Sequence, residues 1–185
     1  VPVVQMDSVI GNKSGKVLLT MFFQNSNLLL AFLRDHNTAR SVLDVFNDLY
    51  AMFGRENYCR LFPVILTDRG SEFSNPVPIE QDENDELRSL VFYCNPSAPY
   101  QKGGIEVAHE LVRRVLPKGK SFDDLQQEDI DLMLSHINSY KRGKLNSRSA
   151  YQLFNFIYGD DILPKLNIRE IEANDIVLSP KLLKK

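Results

Sequence analysis

Cysteine is nearly missing from this chain: Cys59 and Cys94 are the two in 185 residues, far apart and in no CxxC pair. Both are expected as free thiols in a reducing compartment. At this length roughly 70% of the unfolded surface can be buried, so a core needs no disulfide staples. Long apolar runs are lacking too. The stretch LLLAFL falls far short of the ~20 residues a membrane helix requires, and no N-terminal signal pattern precedes it. Nor does one sign of charge prevail. A net charge of −2 argues against a protein that gathers nucleic acid by bulk attraction. There is no internal repeat and no low-complexity tract, which leaves one mixed domain with a shorter tail.

What the chain does have is charge placed unevenly. Glu80, Asp82, Glu83, Asp85 and Glu86 form an acidic run, whereas Lys102, Arg113, Arg114, Lys118 and Lys120 gather further on, followed by Lys141, Arg142, Lys144 and Arg148. Phosphate affinity comes from clustered cations rather than from the total. Both stretches are also readable as ordinary solvated faces.

Short runs rich in Val, Ile and Leu bounded by turns predict strands at Val3 to Ile10, Lys16 to Phe23 and Leu28 to Leu33, joined through GNKSG and QNSN. Helical spacing of Val42, Val45, Phe46, Leu49 and Met52 predicts a helix capped at Asn37 or Thr38 and ended by Gly54. Two more strands follow, near Pro63 to Thr67 and Leu90 to Cys94. A helix is expected from Gly103 to Leu116 and another from Leu125 to Tyr140. On the first of these, Ile105, Ala108, Leu111, Val112 and Val115 make an apolar stripe. Glu106, His109, Glu110 and Arg113 share the opposite face.

Three acids occupy distinctive local settings: Asp7 in VVQMDSVIG, Asp68 in PVILTDRGSEF and Glu106 in APYQKGGIEVAHELVRRVLPKG. Two strand-end aspartates with one helical glutamate suit an oxygen-lined pocket for Mg²⁺, the ion that attends phosphoryl transfer. Glu110, one turn beyond Glu106, is a rival ligand or a partner of Arg113 or Arg114. Glu72 is a metal contact or a capping and salt-bridging group.

These words resemble the retroviral-integrase-like core of insertion-sequence transposases, closest to the IS-thirty family. The resemblance runs from about Val3 to Phe154, through QMDSVIG, KVLLTMFFQNSNLLLAFL, TDRGSEF, FYCNPSAPYQKGGIE, RRVLPKG and INSYKRGKLNSRSAYQLF. It implies an α/β ribonuclease-H-like fold, a mixed five-stranded sheet flanked by helices on both faces, with Asp7 and Asp68 side by side. Asp7, Asp68 and Glu106 would be the catalytic acids and metal ligands, holding two Mg²⁺ ions, with Mn²⁺ as substitute. Arg69, Tyr100, Gln101, Lys102, His109, Arg113 and Lys118 would contact DNA. Arg69 stands where related cores usually carry Asn, and Val107 and Ala108 replace polar residues after the glutamate.

The implied activity is cleavage and strand transfer on element ends and target DNA, by a homo-oligomer in the bacterial cytoplasm with no membrane partner. A ribonuclease-H-like nuclease and a non-catalytic assembly module are the alternatives. The chain opens at Val1 without Met, so a fragment or processed product is expected, with end recognition lying in an upstream helix-turn-helix region. Residues 1–148 would form the core. Residues 149–185, apolar through Tyr151, Phe154, Phe156, Ile157 and Tyr158, would dock on it or on a second subunit.

Overall fold

A computed structural model describes residues 1–183 of the chain. Lys184 and Lys185, the last positions of the expected 149–185 segment, lie outside the described residues. Three strands open the fold: β1 (Val3–Ile10), β2 (Val17–Phe23) and β3 (Leu28–Arg34). They pair as consecutive antiparallel neighbours. Asn27 adopts a left-handed φ of 61° in the tight turn before β3, a conformation that asparagine tolerates better than most residues. The chain then crosses through α1 (Ala39–Leu61) to β4 (Val64–Thr67). It continues through the single turn α2 (Val77–Glu80) to β5 (Leu90–Tyr93). The sheet order is β3-β2-β1-β4-β5, with β1, β4 and β5 parallel.

Helix α1 departs from expectation in one respect. Its cap is Thr38, whose side chain accepts from the Ser41 amide as predicted. The first helical stretch does end at Gly54, but a second follows it directly. Gly54 takes φ 74° and ψ 165°, breaks the helical path for one residue, and the helix resumes to Leu61. The resumption follows from burial, because Tyr58 and Leu61 lie in the core beyond the break. Glycine accepts that φ without the steric cost a Cβ would bring.

Strand β2 is buried along its whole length, so its alternating residues must be covered on both sides. On one side, α3 (Gly103–Val115) lays Gly104 against Phe22 and His109 against Thr20. On the other, Phe23 meets Phe62 at 5.5 Å and Phe154 edge-on at 5.3 Å between ring centroids. Helix α4 (Gln127–Ser139) serves a different purpose. It runs along the open edge of β3, where Asn138 accepts from the Leu29 amide at 2.9 Å and donates to the Leu29 carbonyl at 2.8 Å. Gln127 does likewise with the Leu33 amide and Ala31 carbonyl. An edge that would otherwise offer unpaired backbone groups is thereby satisfied.

A two-residue ladder, β6 (Lys141–Arg142) with β7 (Arg148–Ser149), leads into α5 (Ala150–Tyr158) and the short α6 (Ile162–Lys165). Phe154 and Tyr158 of α5 join the same core as the sheet. The remaining chain turns back over α4. There Arg169 and Ile171 donate their amides to Ser135 and Ser139, and Val177 donates to His136 Nδ1 at 3.0 Å.

Two outcomes follow from this packing. Phe154→Ala is expected to cost about 3–5 kcal/mol in chemical denaturation, since a fully buried ring is lost from contact with the sheet. A cost under about 1 kcal/mol would mean that α5 is not integral to the core. The second concerns pH. Burial, helped by Arg169, holds the His136 imidazole below the usual 6.5, against an opposing pull from Asp175. The native state therefore binds fewer protons than the unfolded state beneath that value, and stability rises with pH there. Thermal melting is expected to fall as pH drops below 6.5, and His136→Gln is expected to shallow that fall.

Candidate active site

The register of β1 on β4 builds the site. Val3 pairs with Val64, Val4 with Ile65 and Gln5 with Leu66. Beyond these pairs, Thr67 donates its hydroxyl to the Met6 carbonyl at 3.2 Å, which extends the alignment by one more step. At the same offset, Asp7, within β1, and Asp68, just past the end of β4, come side by side where the parallel pairing stops. Since side chains alternate along a strand, equal displacement from the Gln5–Leu66 pair sends both the same way.

Backbone amides orient the two carboxylates. Asp7 Oδ1 accepts from the Ser8 amide at 2.8 Å, and Asp68 Oδ1 accepts from the Gly70 amide at 2.8 Å. Their other oxygens converge on one group. Lys102 Nζ lies 3.1 Å from Asp7 Oδ2 and 3.3 Å from Asp68 Oδ2, and donates to the Met6 carbonyl at 3.3 Å. The Lys102 side chain is 9% exposed, those of Asp7 and Asp68 25% and 48%. Lys102, expected on DNA, thus sits between the aspartates.

Glu72 stands beside this pair. A Cβ built on Gly70 would meet Glu72 Oε2 at 2.6 Å and Asp68 Oδ1 at 3.1 Å, so the two carboxylates flank the glycine. Ser8 donates to Glu72 Oε1 at 3.0 Å and accepts from Arg34 Nη2 at 3.2 Å. Burial brings the Arg34 guanidinium down to about 10 despite the nearby Glu72 charge. Glu72 is therefore held in a structural chain of hydrogen bonds rather than turned onto Lys102.

A buried hydrogen bond helps fix helix α3 to β1. The Ile105 amide, among the first-turn donors without a helical partner, donates to Gln5 Oε1 at 2.8 Å. The expected apolar stripe is buried, and Glu106, His109, Glu110 and Arg113 face a cleft of about 700 Å³. Ser8, Val9, Ile10, Arg114 and Lys118 complete its walls. Beneath it the buried Thr20 Oγ1 donates to the Asp7 carbonyl at 3.1 Å and lies 2.8 Å from His109 Nε2. The hydroxyl can donate to that ring nitrogen or accept from it, according to the tautomer. Burial lowers the imidazole's proton affinity, opposed by Asp7 and assisted by Lys102 and Arg113. This favours the neutral ring.

The remaining predicted residues are placed unevenly. Arg113 gives its guanidinium to the Ile10 and Leu116 carbonyls. Lys118 and Glu110 are exposed on the cleft wall. Arg69 is exposed, with its guanidinium carbon 5.9 Å from the Tyr93 ring centroid. Tyr100 is exposed, and Gln101 accepts from the Asn95 amide. Three residues that organise the site were not anticipated: Gln5, Thr20 and Ser8. Gln5 and Thr20 carried a signal, because each is a polar residue inside an otherwise apolar strand.

Among the described residues, no three His, Cys, Asp or Glu side chains are gathered closely enough to hold an ion. Glu106 is exposed on the cleft wall, away from the aspartate pair. The donor set nevertheless fits a cation, because an ammonium already stands between Asp7 and Asp68 as its stand-in. A hard divalent ion prefers such carboxylate oxygens.

This architecture is the ribonuclease-H-like fold of retroviral integrase catalytic cores. The chain matches the catalytic core domain of BIV integrase with a TM-score of 0.57, at 23% identity over 84% of this chain and 92% of that one. It matches a chain of a simian T-cell lymphotropic virus intasome with a TM-score of 0.59, at 18% identity over 92% of this chain and 58% of that one. Among curated proteins it is 30% identical over 150 residues to a putative integrase of Spiroplasma virus SpV1, covering 81% of this chain and 44% of the relative. It is 22% identical over 147 residues to the InsI transposase for IS30A of Escherichia coli, covering 80% and 36%. A 63-residue stretch is 35% identical to the IS1086 transposase of Cupriavidus metallidurans, covering 34% and 19%. No protein-family model matches. The chain is similar to IS30-type insertion-sequence transposases and to a viral integrase, of whose curated lengths it spans less than half.

Gln5→Ala would leave the Ile105 amide buried without an acceptor. A loss of about 1–3 kcal/mol is expected in denaturant titration. An unchanged midpoint would remove Gln5 as the anchor of α3.

Proposed function

We propose that the chain is the catalytic core of a transposase that cuts DNA strands and joins them elsewhere by displacement at phosphorus. Divalent cations would be held by Asp7, Asp68 and Glu106. The observation that carries this reading is the pair of aspartates on neighbouring strands already closed on a positive charge, 3.1 and 3.3 Å from Lys102 Nζ. Support also comes from relatives described as transposases and a putative integrase.

Each residue has a definable task. Asp7 and Asp68 present Oδ2 atoms to the cation while their Oδ1 atoms stay fixed by backbone amides. Glu106 completes the ligand set from the cleft wall once it approaches the pair. A divalent ion held there supplies Lewis-acid activation of the attacking oxygen and charge stabilisation of the leaving one. His109, oriented by its contact with Thr20, would offer a ring nitrogen to a proton of the attacking water or hydroxyl. Arg114 and Lys118 line the same cleft and can neutralise the phosphates of a strand laid along it. DNA ends and target are the partners, and a homo-oligomer in the bacterial cytoplasm is the working form.

The test is joining of a labelled oligonucleotide with a free 3′-hydroxyl into supercoiled plasmid, with Mg²⁺ or Mn²⁺. Asp7→Asn, Asp68→Asn and Glu106→Gln are each expected to lower joining by about two orders of magnitude or more. Their melting temperatures should stay near that of the parent. Near-normal joining by any one of them would remove that residue from the catalytic set. Cut products without joined ones would point to a hydrolytic nuclease.

A further inference from the structure

The Lys102 ammonium donates to Asp68 Oδ2 and the Met6 carbonyl and stands 3.1 Å from Asp7 Oδ2 as an ion pair. It occupies the point where a shared cation would be closest to both carboxylates. Two cations cannot stand there together, for reasons of both volume and repulsion. We propose that Lys102 is a built-in competitor for the metal: it holds the aspartate pair together when no metal is bound, and must withdraw for an ion to enter. This rests on the reading of Asp7 and Asp68 as cation ligands.

Charge arithmetic gives the direction. Two carboxylates beside an ammonium carry one net negative charge. Without the ammonium they carry two, and a divalent ion is drawn more strongly. The site is therefore primed but weak in the free protein. The means of withdrawal is local. Lys102 ends the turn Pro99–Lys102, and Gly103 and Gly104 follow it directly. The open space around a Cβ built at Gly103 leaves that link unencumbered. Once withdrawn, the ammonium needs a new anionic partner, and the phosphate of a strand entering the adjoining cleft has the right charge. Metal entry and phosphate binding would then favour one another reciprocally. Lys102 is on this view a positioning residue that makes ion loading depend on DNA.

The test is Mn²⁺ binding to the chain without DNA, followed by calorimetry and by the paramagnetic resonance of free Mn²⁺. Lys102→Met is expected to tighten binding on the order of tenfold, while Lys102→Arg, which keeps the charge, should stay near the parent. Adding Asp7→Asn to Lys102→Met should abolish the gain. The unmutated chain supplies a check independent of how the variants fold. Saturating Mn²⁺ should raise the rate at which an amine reagent labels Lys102, read by mass spectrometry. Equal Mn²⁺ affinity in the parent and Lys102→Met, or labelling unchanged at saturation, would overturn the competitor role while leaving the cation ligands in place. No Mn²⁺ binding in any form, with or without duplex DNA, would overturn the ligand assignment and this role together.

Discussion

Parallel pairing of β1 with β4 is the constraint on which the rest of the site depends. Residues 61 apart in sequence become neighbours only if the register holds. A one-residue slip would turn one aspartate to the opposite face of the sheet. Burial guards against that slip. Val4, Met6 and Ile65 are all essentially inaccessible, so a shifted strand would expose core residues and bury polar ones. The Thr67 hydroxyl on the Met6 carbonyl adds a further fixed point one residue from the acids. The electrostatic site is thus held by apolar burial beneath it.

A second constraint sets where the third wall stands. Gln5 lies on β1 two residues before Asp7 and receives the Ile105 amide of α3. One buried side chain therefore references the helix carrying Glu106 to the strand carrying Asp7. The tight packing of Gly104 on Phe22 fixes the approach of the same helix end to β2. With both contacts in place, the polar stripe of α3 faces the cleft and its apolar stripe the sheet.

Much of this was legible from local pattern. Strands declared themselves as short apolar runs between turn residues, and the two faces of α3 followed from i, i+3, i+4 spacing. Such features depend on neighbours in sequence. The placements that escaped depend on partners brought near by folding. Lys102 read as a phosphate contact because basic residues cluster around it. Its burial between Asp7 and Asp68 arises from how the turn before α3 enters the sheet. The resumption of α1 after Gly54 is another case. A glycine stops a helix on local grounds, yet Tyr58 and Leu61 gain enough by entering the core to continue it. Asn138 and Gln127 looked like ordinary helix residues, and their service to the β3 edge is a matter of tertiary position.

The central claim is that Asp7 and Asp68 form a cation site whose metal-free occupant is the Lys102 ammonium. Anomalous scattering from a crystal of this chain soaked in Mn²⁺ together with a short duplex tests it most directly. A peak is expected between the Oδ2 atoms of Asp7 and Asp68, with Lys102 turned away and Glu106 drawn towards the ion. Ordered aspartates still closed on Lys102, with manganese bound elsewhere, would contradict it.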